Sequence, residues 1–279
     1  MSEYHAISSR EAVVLISIYA GDKPSYFRVA MESVLSQCLP SDVRLKVFLA
    51  VDGPVGQDME CVLQEYAPKI FFISRSDENV GLGGALNRLI DASRGADFFF
   101  RMDADDVCLP GRFQSQIVFL DRHETIDILG GAIVEFSEDL GWRRLATYFS
   151  GVGDLRQSLC WRVPVAHPTV CFRGRVFDAV RGYPTSKGNE DVSLWFACAK
   201  AGLRFGNIDV PLLEFRVTSN FWARRSFKKA IDELLAYERG IYSLFGLSWR
   251  ALIPLLRFCF RLLPAPIVKL GYRLRALGR

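Results

Sequence analysis

Three aspartates stand within four positions, directly after an apolar stretch of the chain. The sequence RMDADD occupies residues 101–106 and follows the run FFF. Ionised carboxylates this close repel one another, and a surrounding of low dielectric constant strengthens the repulsion, so a cation should compensate them. Carboxylate oxygens are the ligands that Mg²⁺ and Mn²⁺ prefer, and Mg²⁺ in particular keeps positions open for phosphate. The spacing therefore favours Asp103 and Asp105 as ligands of one divalent ion that also holds a diphosphate.

Two other interpretations of these acids stay open. Asp105 or Asp106 could lie in a solvated turn and cap the helix whose start is suggested by LPGRF at 109–113. The apolar strand followed by Asp-x-Asp-x-Val also resembles phosphatases and phosphotransferases of the haloacid dehalogenase type. In that class Asp103 would be the nucleophile and Asp105 the acid or base. The motif would then be expected near the start of its domain, whereas three predicted strands precede it here.

Acids also stand at the ends of two other predicted elements. Asp52 ends an apolar run just before a Gly-Pro pair, and Glu190 and Asp191 begin a predicted helix with Asn189 as a candidate N-cap. The helix dipole favours acids in a first turn whatever their function, so their position alone gives them no chemical role. The glycine-rich stretch NVGLGGALNR at 79–88 is neither GxGxxG nor a Walker loop, and it is a weak indication of phosphate binding.

Strands that alternate with helices position these acids in the first half of the chain. The predicted strands cover residues 12–19, 45–54, 69–74 and 97–102, and helical patterns cover 27–35 and 81–95. Alternation of this kind indicates βαβ units and a parallel sheet. Ligands of such sheets bind beyond the carboxyl ends of the strands, which is where Asp52 and Asp103 fall.

The second half of the chain is less regular. Strands are predicted at 128–136, 142–149 and 211–217, a strand with a short helix at 170–183, and a helix at 189–202. The sequence contains no internal repeat, no low-complexity tract and no obvious linker.

The composition excludes several classes of protein. Half of the 279 residues are hydrophobic and 13% are aromatic, which supports a substantial core and excludes global disorder. The seven cysteines are scattered without zinc-type spacing, so we expect free thiols in a reducing compartment. The net charge of +4 is modest, and we expect no nucleic-acid partner. We also expect no signal peptide and no conventional membrane-spanning helix.

Basic and apolar residues are interleaved towards the C-terminus. No Asp or Glu follows Glu238, while eight Arg and Lys residues between Arg239 and Arg279 stand among Leu, Ile, Phe, Trp and Tyr. Such a segment suits the surface of an anionic membrane leaflet, although a packed helix with solvated arginines would have the same composition. We expect one domain at 1–220, a helical extension at 221–279, and a cytoplasmic protein that associates peripherally with the inner membrane.

The order of the motifs resembles that of family 2 glycosyltransferases, especially the members that build bacterial surface polysaccharides. The segments that carry the resemblance lie between about residues 12 and 220 and are VVLISIYAGDKPSYFRVAMESVLSQ, LAVDGP, ENVGLGGALNRLI, FFFRMDADDVCLPGRF, HPTVCFRGRVFDAVRGY, GNEDVSLWFACAKAG and LLEFRV. The resemblance implies an α/β GT-A fold, with a Rossmann-like nucleotide-binding half that has a mixed sheet and an acceptor-side half. It also implies inverting transfer of a sugar from a nucleotide-diphosphate sugar to a saccharide acceptor, which we expect to be lipid-linked.

The resemblance assigns the donor side of the site to residues at three strand ends. Asp52 would contact the nucleobase, and the loop around Tyr19 and Ala20 would border it. Asp103 and Asp105 match the DXD motif, which holds the ribose, the diphosphate and a Mn²⁺ or Mg²⁺ ion.

The acceptor side involves residues from later in the chain. Asp191 matches the family's presumed general base, and Glu190 would orient or tune it. Arg101 and Arg216 stand where the family often carries basic residues near the site. His167 could contact the acceptor or the diphosphate, or could equally be a core histidine.

The implied chemistry needs two carboxylate sites with separate tasks. One carboxylate removes the proton of the attacking sugar hydroxyl, while a metal ion offsets the charge that develops on the leaving diphosphate. A single displacement inverts the anomeric carbon and needs no enzyme nucleophile. A further alternative is a non-catalytic, membrane-bound sensor that binds sugar nucleotides without turning them over.

Overall fold

The first half of the chain folds as alternating strands and helices. The structure is a computed structural model that describes residues 9–148, 151–153, 156–184, 189–218 and 227–261. Its first elements are β1 (Arg10–Ile18), α1 (Pro24–Leu35), β2 (Val43–Asp52), α2 (Gln57–Tyr66), β3 (Phe72–Ser76), α3 (Leu82–Ala92) and β4 (Phe98–Asp103).

The second half adds shorter strands and the helices of the C-terminal region. These elements are β5 (Val107–Cys108), α4 (Arg112–Arg122), β6 (Ile128–Ser137), β7 (Trp142–Ala146), β8 (Gly151–Gly153), α5 (Arg156–Leu159), β9 (Cys171–Arg173), α6 (Arg175–Val180), α7 (Glu190–Lys200), β10 (Phe205–Arg216), α8 (Phe227–Phe245) and α9 (Leu252–Arg261). Short 3₁₀ turns lie at Ala67–Lys69, His167–Thr169 and Trp249–Ala251.

The described strands form one mixed sheet of ten strands. Its order is β3-β2-β1-β4-β9-β6-β10-β5, with β7 beside β6 and β8 beside β10. β3, β2, β1 and β4 run parallel, as the alternation of elements predicts. β9 is antiparallel to both β4 and β6, which makes the whole sheet mixed and confirms the α/β GT-A architecture that the resemblance implies.

The register of β1 brings the candidate acids to one edge of the sheet. Ile18 pairs with Val51 in β2, and Ser17 pairs with Asp103 in β4. Asp52 and Asp103 therefore end their strands on either side of the end of β1. Parallel strands place their carboxyl ends together, so residues 51 positions apart in sequence become neighbours in the fold.

Helices cover both faces of the sheet, which explains the continuous apolar strands. Val14 and Ile16 of β1 belong to one core cluster with α1, α2 and α4. Val13 and Leu15 belong to a second cluster with α3, α6, α7 and α8. Successive side chains of a strand point to opposite faces, so an entirely apolar strand suits a sheet buried on both sides.

α8 packs on the body of the protein through its contact with α7. Ala236, Tyr237 and Ile241 lie in the second core cluster. The rings of Tyr237 and Phe196 meet edge to face at 5.9 Å. Gly240 lies against the Phe196 ring, where a larger residue would clash. The domain boundary at residue 220 falls outside the described residues and stays a prediction.

Two expectations about local structure have clear outcomes. α4 begins at Arg112 after Gly111, whose φ of 77° is left-handed, and no side chain caps it among the described residues. The hypothesis that Asp105 or Asp106 caps this helix is therefore wrong. All seven cysteines are free, as expected.

Candidate active site

The three aspartates of the cluster converge after the end of β4. One carboxylate oxygen from each of Asp103, Asp105 and Asp106 lies within 4.8 Å of the other two. Burial raises the pKa of Asp105, and the neighbouring Asp103 raises it further. The same two causes, joined by Asp105, raise the pKa of the fully buried Asp106 well above its ordinary value. The cluster is a site where negative charge is crowded and poorly solvated.

Arg101 places a positive charge directly beside the cluster. It lies on β4, is 3% exposed, and donates from Nη1 to Oδ2 of Asp103 over 2.6 Å. Its Nη2 contacts the other oxygen of the same carboxylate, so the pair is bidentate. Burial alone would lower the pKa of Arg101, but the carboxylates of Asp103 and Asp106 outweigh burial and raise it. Its Nε is buried without a hydrogen-bond partner among the described residues.

Asp106 joins the acid turn to β10. Its Oδ1 accepts a hydrogen bond from the backbone N–H of Arg216 at 2.9 Å. Its Oδ2 is buried and has no hydrogen-bond partner in the described part of the chain. A buried carboxyl oxygen without a partner costs the folded protein free energy.

Arg216, at the end of β10, holds the same turn from the other side. Its Nε donates to the backbone oxygen of Asp105 at 2.8 Å, and its Nη1 pairs with Glu138 at 2.5 Å. The guanidinium lies 3.9 Å from the ring centroid of Tyr26. Arg216 is thus buried beside the acid cluster, and its side chain fixes the backbone of the turn.

Asp52, at the end of β2, binds the segment that precedes α3. Its two oxygens accept hydrogen bonds from the backbone N–H groups of Val80 and Gly81, at 3.0 and 2.9 Å. Nη2 of Arg88 lies 3.7 Å from Oδ1 of the same carboxylate. The residue therefore has a structural role that its sequence position did not reveal. Oδ1 also accepts a long hydrogen bond from Oγ of Ser76 at 3.4 Å. A nucleobase contact of Asp52 stays a prediction.

Tyr19 and Ala20 lie beside Asp52 along the same edge of the sheet. They follow β1 directly, and both are exposed. The backbone N–H of Tyr19 donates to Oδ2 of Asp22 at 2.9 Å, which fixes the turn. The loop is exposed, and its contact with a nucleobase stays a prediction.

Asp191 lies in the first turn of α7, and its surroundings raise its pKa. Burial raises the pKa of Asp191 to about 6, despite the opposing effects of the Val192 backbone N–H and of Arg101. Asn189 occupies the N-cap position with a left-handed φ of 52°, but no side-chain capping bond forms among the described residues. A carboxyl group with a pKa near 6 suits a general base that works close to neutral pH.

Glycine lets α3 approach the start of α7. A Cβ added at Gly83 would lie 3.3 Å from Cβ of Glu190 and 3.4 Å from Cβ of Tyr183. Gly83 in the glycine-rich stretch therefore allows close packing of the two helices. This packing places Glu190 beside the N-terminal turn of α3.

His167 lies inside the protein between β4 and α7. Its Nε2 is 2.7 Å from the hydroxyl of Tyr183, and its ring lies 5.8 Å from that of Trp195. Burial lowers its pKa well below the usual value, and the charge of Arg101 lowers it further. The imidazole is neutral and its Nε2 is occupied, so the structure favours the core-histidine alternative over a substrate contact.

Two polar residues that the sequence analysis did not single out support the site, the half-buried Asn87 and the buried Arg112. Asn87 on α3 donates to the backbone oxygen of Tyr183 at 2.9 Å and accepts from its N–H at 2.6 Å. Arg112 on α4 donates to the backbone oxygens of Arg101 and Pro168, at 2.8 and 2.9 Å. A polar Asn within an apolar helix face was a usable signal for Asn87. No such signal existed for Arg112, because an arginine on a helix is usually exposed.

The fold and site together define a class of protein. It is an α/β protein whose acids gather beyond the carboxyl ends of parallel strands, where sheets of this kind bind ligands. Residues 13–183 match the sequence profile described as glycosyl transferase family 2. The chain belongs to the family 2 glycosyltransferases.

Several relatives of this family are similar along most of the chain. An uncharacterized glycosyltransferase of Haemophilus influenzae is 33% identical over 93% of this chain and 97% of its own. The amylovoran biosynthesis glycosyltransferase AmsE of Erwinia amylovora is 29% identical over 93% and 97%. A UDP-Gal:alpha-D-GlcNAc-diphosphoundecaprenol beta-1,3-galactosyltransferase of Escherichia coli is 26% identical over 80% of each chain.

Two solved structures share the fold. S. aureus TarS in complex with UDP-GlcNAc superposes with a TM-score of 0.67, at 16% identity, over 90% of this chain and 72% of that one. The mannosyltransferase PcManGT of Pyrobaculum calidifontis, in complex with GDP-Man and Mn²⁺, superposes with a TM-score of 0.59, at 14% identity, over 96% and 80%.

Proposed function

We propose that this protein transfers a sugar from a nucleotide-diphosphate sugar to a lipid-linked saccharide, with inversion, in the synthesis of a surface polysaccharide. Family membership supports the reaction class. The relative named for amylovoran biosynthesis supports the pathway, and the relative whose acceptor is a diphosphoundecaprenol supports the lipid link. The structural neighbour that binds UDP-GlcNAc supports the type of donor.

The observation that carries the proposal is the separation of two kinds of carboxylate. The acid cluster is crowded and paired with Arg101. Asp191 stands apart at the start of a helix, and burial raises its pKa to about 6. One set is suited to hold a cation and the other to exchange a proton, which is the division of labour that glycosyl transfer needs.

The cluster fits a divalent metal ion. Its donors are carboxylate oxygens, which Mg²⁺ and Mn²⁺ prefer. Three of them lie within 4.8 Å of one another, and Oδ2 of Asp106 is buried without a partner among the described residues. Asp103 and Asp105 would hold the ion, which supplies positive charge to the leaving diphosphate when bound. The neighbour that binds Mn²⁺ supports this choice of metal.

Asp191 acts as the general base in this proposal. Its carboxylate takes the proton of the acceptor hydroxyl as that oxygen forms a bond to the anomeric carbon of the donor. The bond from that carbon to the diphosphate breaks, and its electron pair leaves with the nucleoside diphosphate. One displacement at one carbon inverts its configuration. Glu190 would orient Asp191 from the adjacent position.

Most of the remaining predicted site residues serve the nucleotide side of the site, either directly or by positioning the acid cluster. Asp52, Tyr19 and Ala20 would border the base at the ends of β1 and β2. Arg101 and Arg216 fix Asp103 and the Asp105 backbone, respectively. In this assignment both arginines organise the cluster that faces the diphosphate.

Neither alternative function gains a specific observation. The phosphotransferase interpretation expects the acid motif at the start of its domain, whereas β1, β2 and β3 precede it within the same sheet. The non-catalytic sensor would not require a base with a raised pKa at Asp191.

A panel of nucleotide sugars, screened by thermal shift with and without Mn²⁺, identifies the donor. The right donor stabilises the folded protein in proportion to the logarithm of its concentration over Kd. We expect Asp191→Asn to retain this shift and to lose turnover by about a thousandfold or more. Asp178→Asn, which changes an exposed acid in the first turn of α6, is the matched control and should retain both.

Three outcomes of this screen contradict the proposal. Full turnover by Asp191→Asn would show that Asp191 is not the general base. Phosphate release, rather than release of nucleoside diphosphate, would support the phosphotransferase. A donor that binds but never reacts with any saccharide acceptor would support the sensor.

We also propose that the protein works at the cytoplasmic face of the inner membrane. Among the described residues, no helix combines the length and the apolar character needed to cross a bilayer. A peripheral contact would bring Asp191 near a lipid-linked acceptor.

A further inference from the structure

The last described helix carries an apolar stripe that faces away from the protein. Leu252, Leu255 and Leu256 of α9 are 56%, 45% and 69% exposed, and Cys259 is exposed as well. The spacing i, i+3, i+4, i+7 places these four side chains on one side of a helix. We call them, with Leu247 and Trp249 just before the helix, the leucine face.

The opposite side of α9 fixes the orientation of the leucine face. Ile253 is buried in the second core cluster. Arg257 donates to Glu233 of α8 at 2.8 Å, and its guanidinium lies 4.7 Å from the ring centroid of Tyr237. α9 is therefore held to α8 by apolar packing and a charged hydrogen bond. Because this opposite side packs on α8, the exposed leucines lie on the outer side of α9.

The residues just ahead of α9 add further exposed apolar side chains. Leu247 is 95% exposed and Trp249 is 62% exposed. The guanidinium of Arg250 lies 5.5 Å from the ring centroid of Trp249 and 4.6 Å from that of Phe245. Tryptophan beside arginine is the combination found where proteins meet the headgroup region of a bilayer. A run of large exposed apolar side chains on one surface marks an interaction site.

The charge of the surrounding sequence selects the partner. No acid follows Glu238, whereas eight arginines and lysines stand between Arg239 and Arg279. Arg257 is engaged with Glu233, so it contributes to the packing of α9 rather than to the surface. The remaining excess of positive charge complements an anionic lipid leaflet and would repel a second copy of the same segment.

We propose that the leucine face docks on an anionic bilayer, with α9 parallel to the membrane plane and its leucines below the headgroups. Binding of this type grows with the apolar area buried and with attraction to anionic lipid. The proposal names the membrane partner of the proposed function, since a lipid-linked acceptor lies in a bilayer. Vesicle binding itself requires no turnover.

Sedimentation with vesicles of phosphatidylglycerol and phosphatidylcholine tests the proposal on the full chain. We expect the wild type to sediment with these vesicles and to bind phosphatidylcholine vesicles more weakly. Leu255→Asp with Leu256→Asp should lower the partition coefficient by about tenfold for each leucine. Leu140→Asp with Leu145→Asp is the matched control, because both leucines are exposed on the β6–β7 hairpin, and it should bind as the wild type does.

A second measurement guards against misfolding of the double aspartate variant. The emission of Trp249 should shift to shorter wavelength on mixing with anionic vesicles, and Trp249→Phe should lose that part of the shift. Unchanged vesicle binding by the double aspartate variant would overturn the proposal. The proposal would also be overturned, in favour of self-association, if the wild type did not bind vesicles but formed a dimer and the double aspartate variant were monomeric.

The proposal on membrane docking and the proposal on catalysis can be tested independently. The double aspartate variant should keep the nucleotide-dependent thermal shift and its turnover with a water-soluble acceptor. Asp191→Asn should bind vesicles as the wild type does and lose turnover. A failure of the first variant alone concerns docking, and a failure of the second alone concerns catalysis.

Discussion

Asp191 must be ionised to accept a proton, yet burial opposes its ionisation. Its pKa in the folded protein is about 6, whereas an unfolded aspartate has a pKa of about 3.9. A group whose pKa is raised on folding adds stability below its unfolded pKa, and that stability is lost as pH rises through the folded pKa. The ionised base is thus held in place at the expense of stability.

The pH dependence of the reaction should report this pKa. We expect log kcat/KM to rise with unit slope as pH increases to about 6, and then to level off, because only the ionised Asp191 accepts the proton. Initial rates over a series of buffers at fixed Mn²⁺ measure the profile. A rate that stays level down to about pH 4 would assign the base to a residue with an ordinary carboxyl pKa.

Replacing the base should make the protein more stable. Asp191→Asn removes a charge that the folded protein disfavours, so we expect the free energy of unfolding at about pH 8 to rise by up to about 3 kcal/mol. The gain should shrink as pH falls through 6 towards 4, since the wild-type carboxyl is then protonated too. Urea unfolding at several pH values measures it, with Asp178→Asn as the control. A loss of stability at pH 8 would contradict the account.

Residue types and spacing predicted the acids of the site but not their partners. The strand end and the Asp-x-Asp spacing brought out Asp103 and Asp105, and the crowding of charge required a cation. That Arg101, two residues earlier on the same strand, pairs with Asp103 follows from the pleat, which puts residues i and i+2 on one side. The hydrogen bonds of Asp52 to Val80 and Gly81 depend on a loop 28 positions later and had no local signal.

At the scale of elements, strands with strong apolar patterns were predictable, whereas the residues at which strands begin and end were not. β1, β2 and β4 are buried on both faces, so their apolar runs show them clearly. β10 was expected only from Pro211 but begins at Phe205. Its pairing with β6 shifts register around Pro211, because proline has no N–H to donate to the ladder. The proline looked like the start of a strand and is an irregularity within one.

Arg112 joins three elements beneath the acid cluster, and its loss should be costly. Arg112→Met would leave the backbone oxygens of Arg101 and Pro168 without their donors, so we expect the free energy of unfolding to fall by about 3 kcal/mol. Arg122→Met, at the exposed end of the same helix, should change it by less than about 0.5 kcal/mol. Denaturant titration compares the two, and equal effects would contradict the role given to Arg112.

At the scale of the whole molecule, the C-terminal helices complete the core. Gly240 on α8 meets the ring of Phe196 on α7, and a methyl group there would clash. We expect Gly240→Ala to lower the free energy of unfolding by about 1–3 kcal/mol, because the ring cannot move within a packed core. Gly153→Ala, with open space around it, is the control. Equal stability of Gly240→Ala and wild type would mean that α8 is not closely packed.

Long-range pairing is the part of the fold that local patterns could not predict. β9 lies between β4 and β6 although it comes after both in the chain, and it contributes only three residues, Cys171–Arg173. Periodicity in three residues carries no information on pairing. The resemblance to a family, rather than the pattern of each element, supplied the mixed sheet. The packing of α7 on α8 was likewise outside the reach of sequence patterns.

The most direct test of the central claim is the effect of Mn²⁺ on nucleotide binding, measured by calorimetry with the donor that the thermal-shift panel identifies. We predict that removing Mn²⁺ weakens binding to the wild type by about tenfold or more. Asp105→Asn should bind the donor as weakly with Mn²⁺ as the wild type does without it. If the wild type is indifferent to Mn²⁺, or if Asp105→Asn keeps the full Mn²⁺ effect, the acid cluster does not hold the ion that binds the diphosphate.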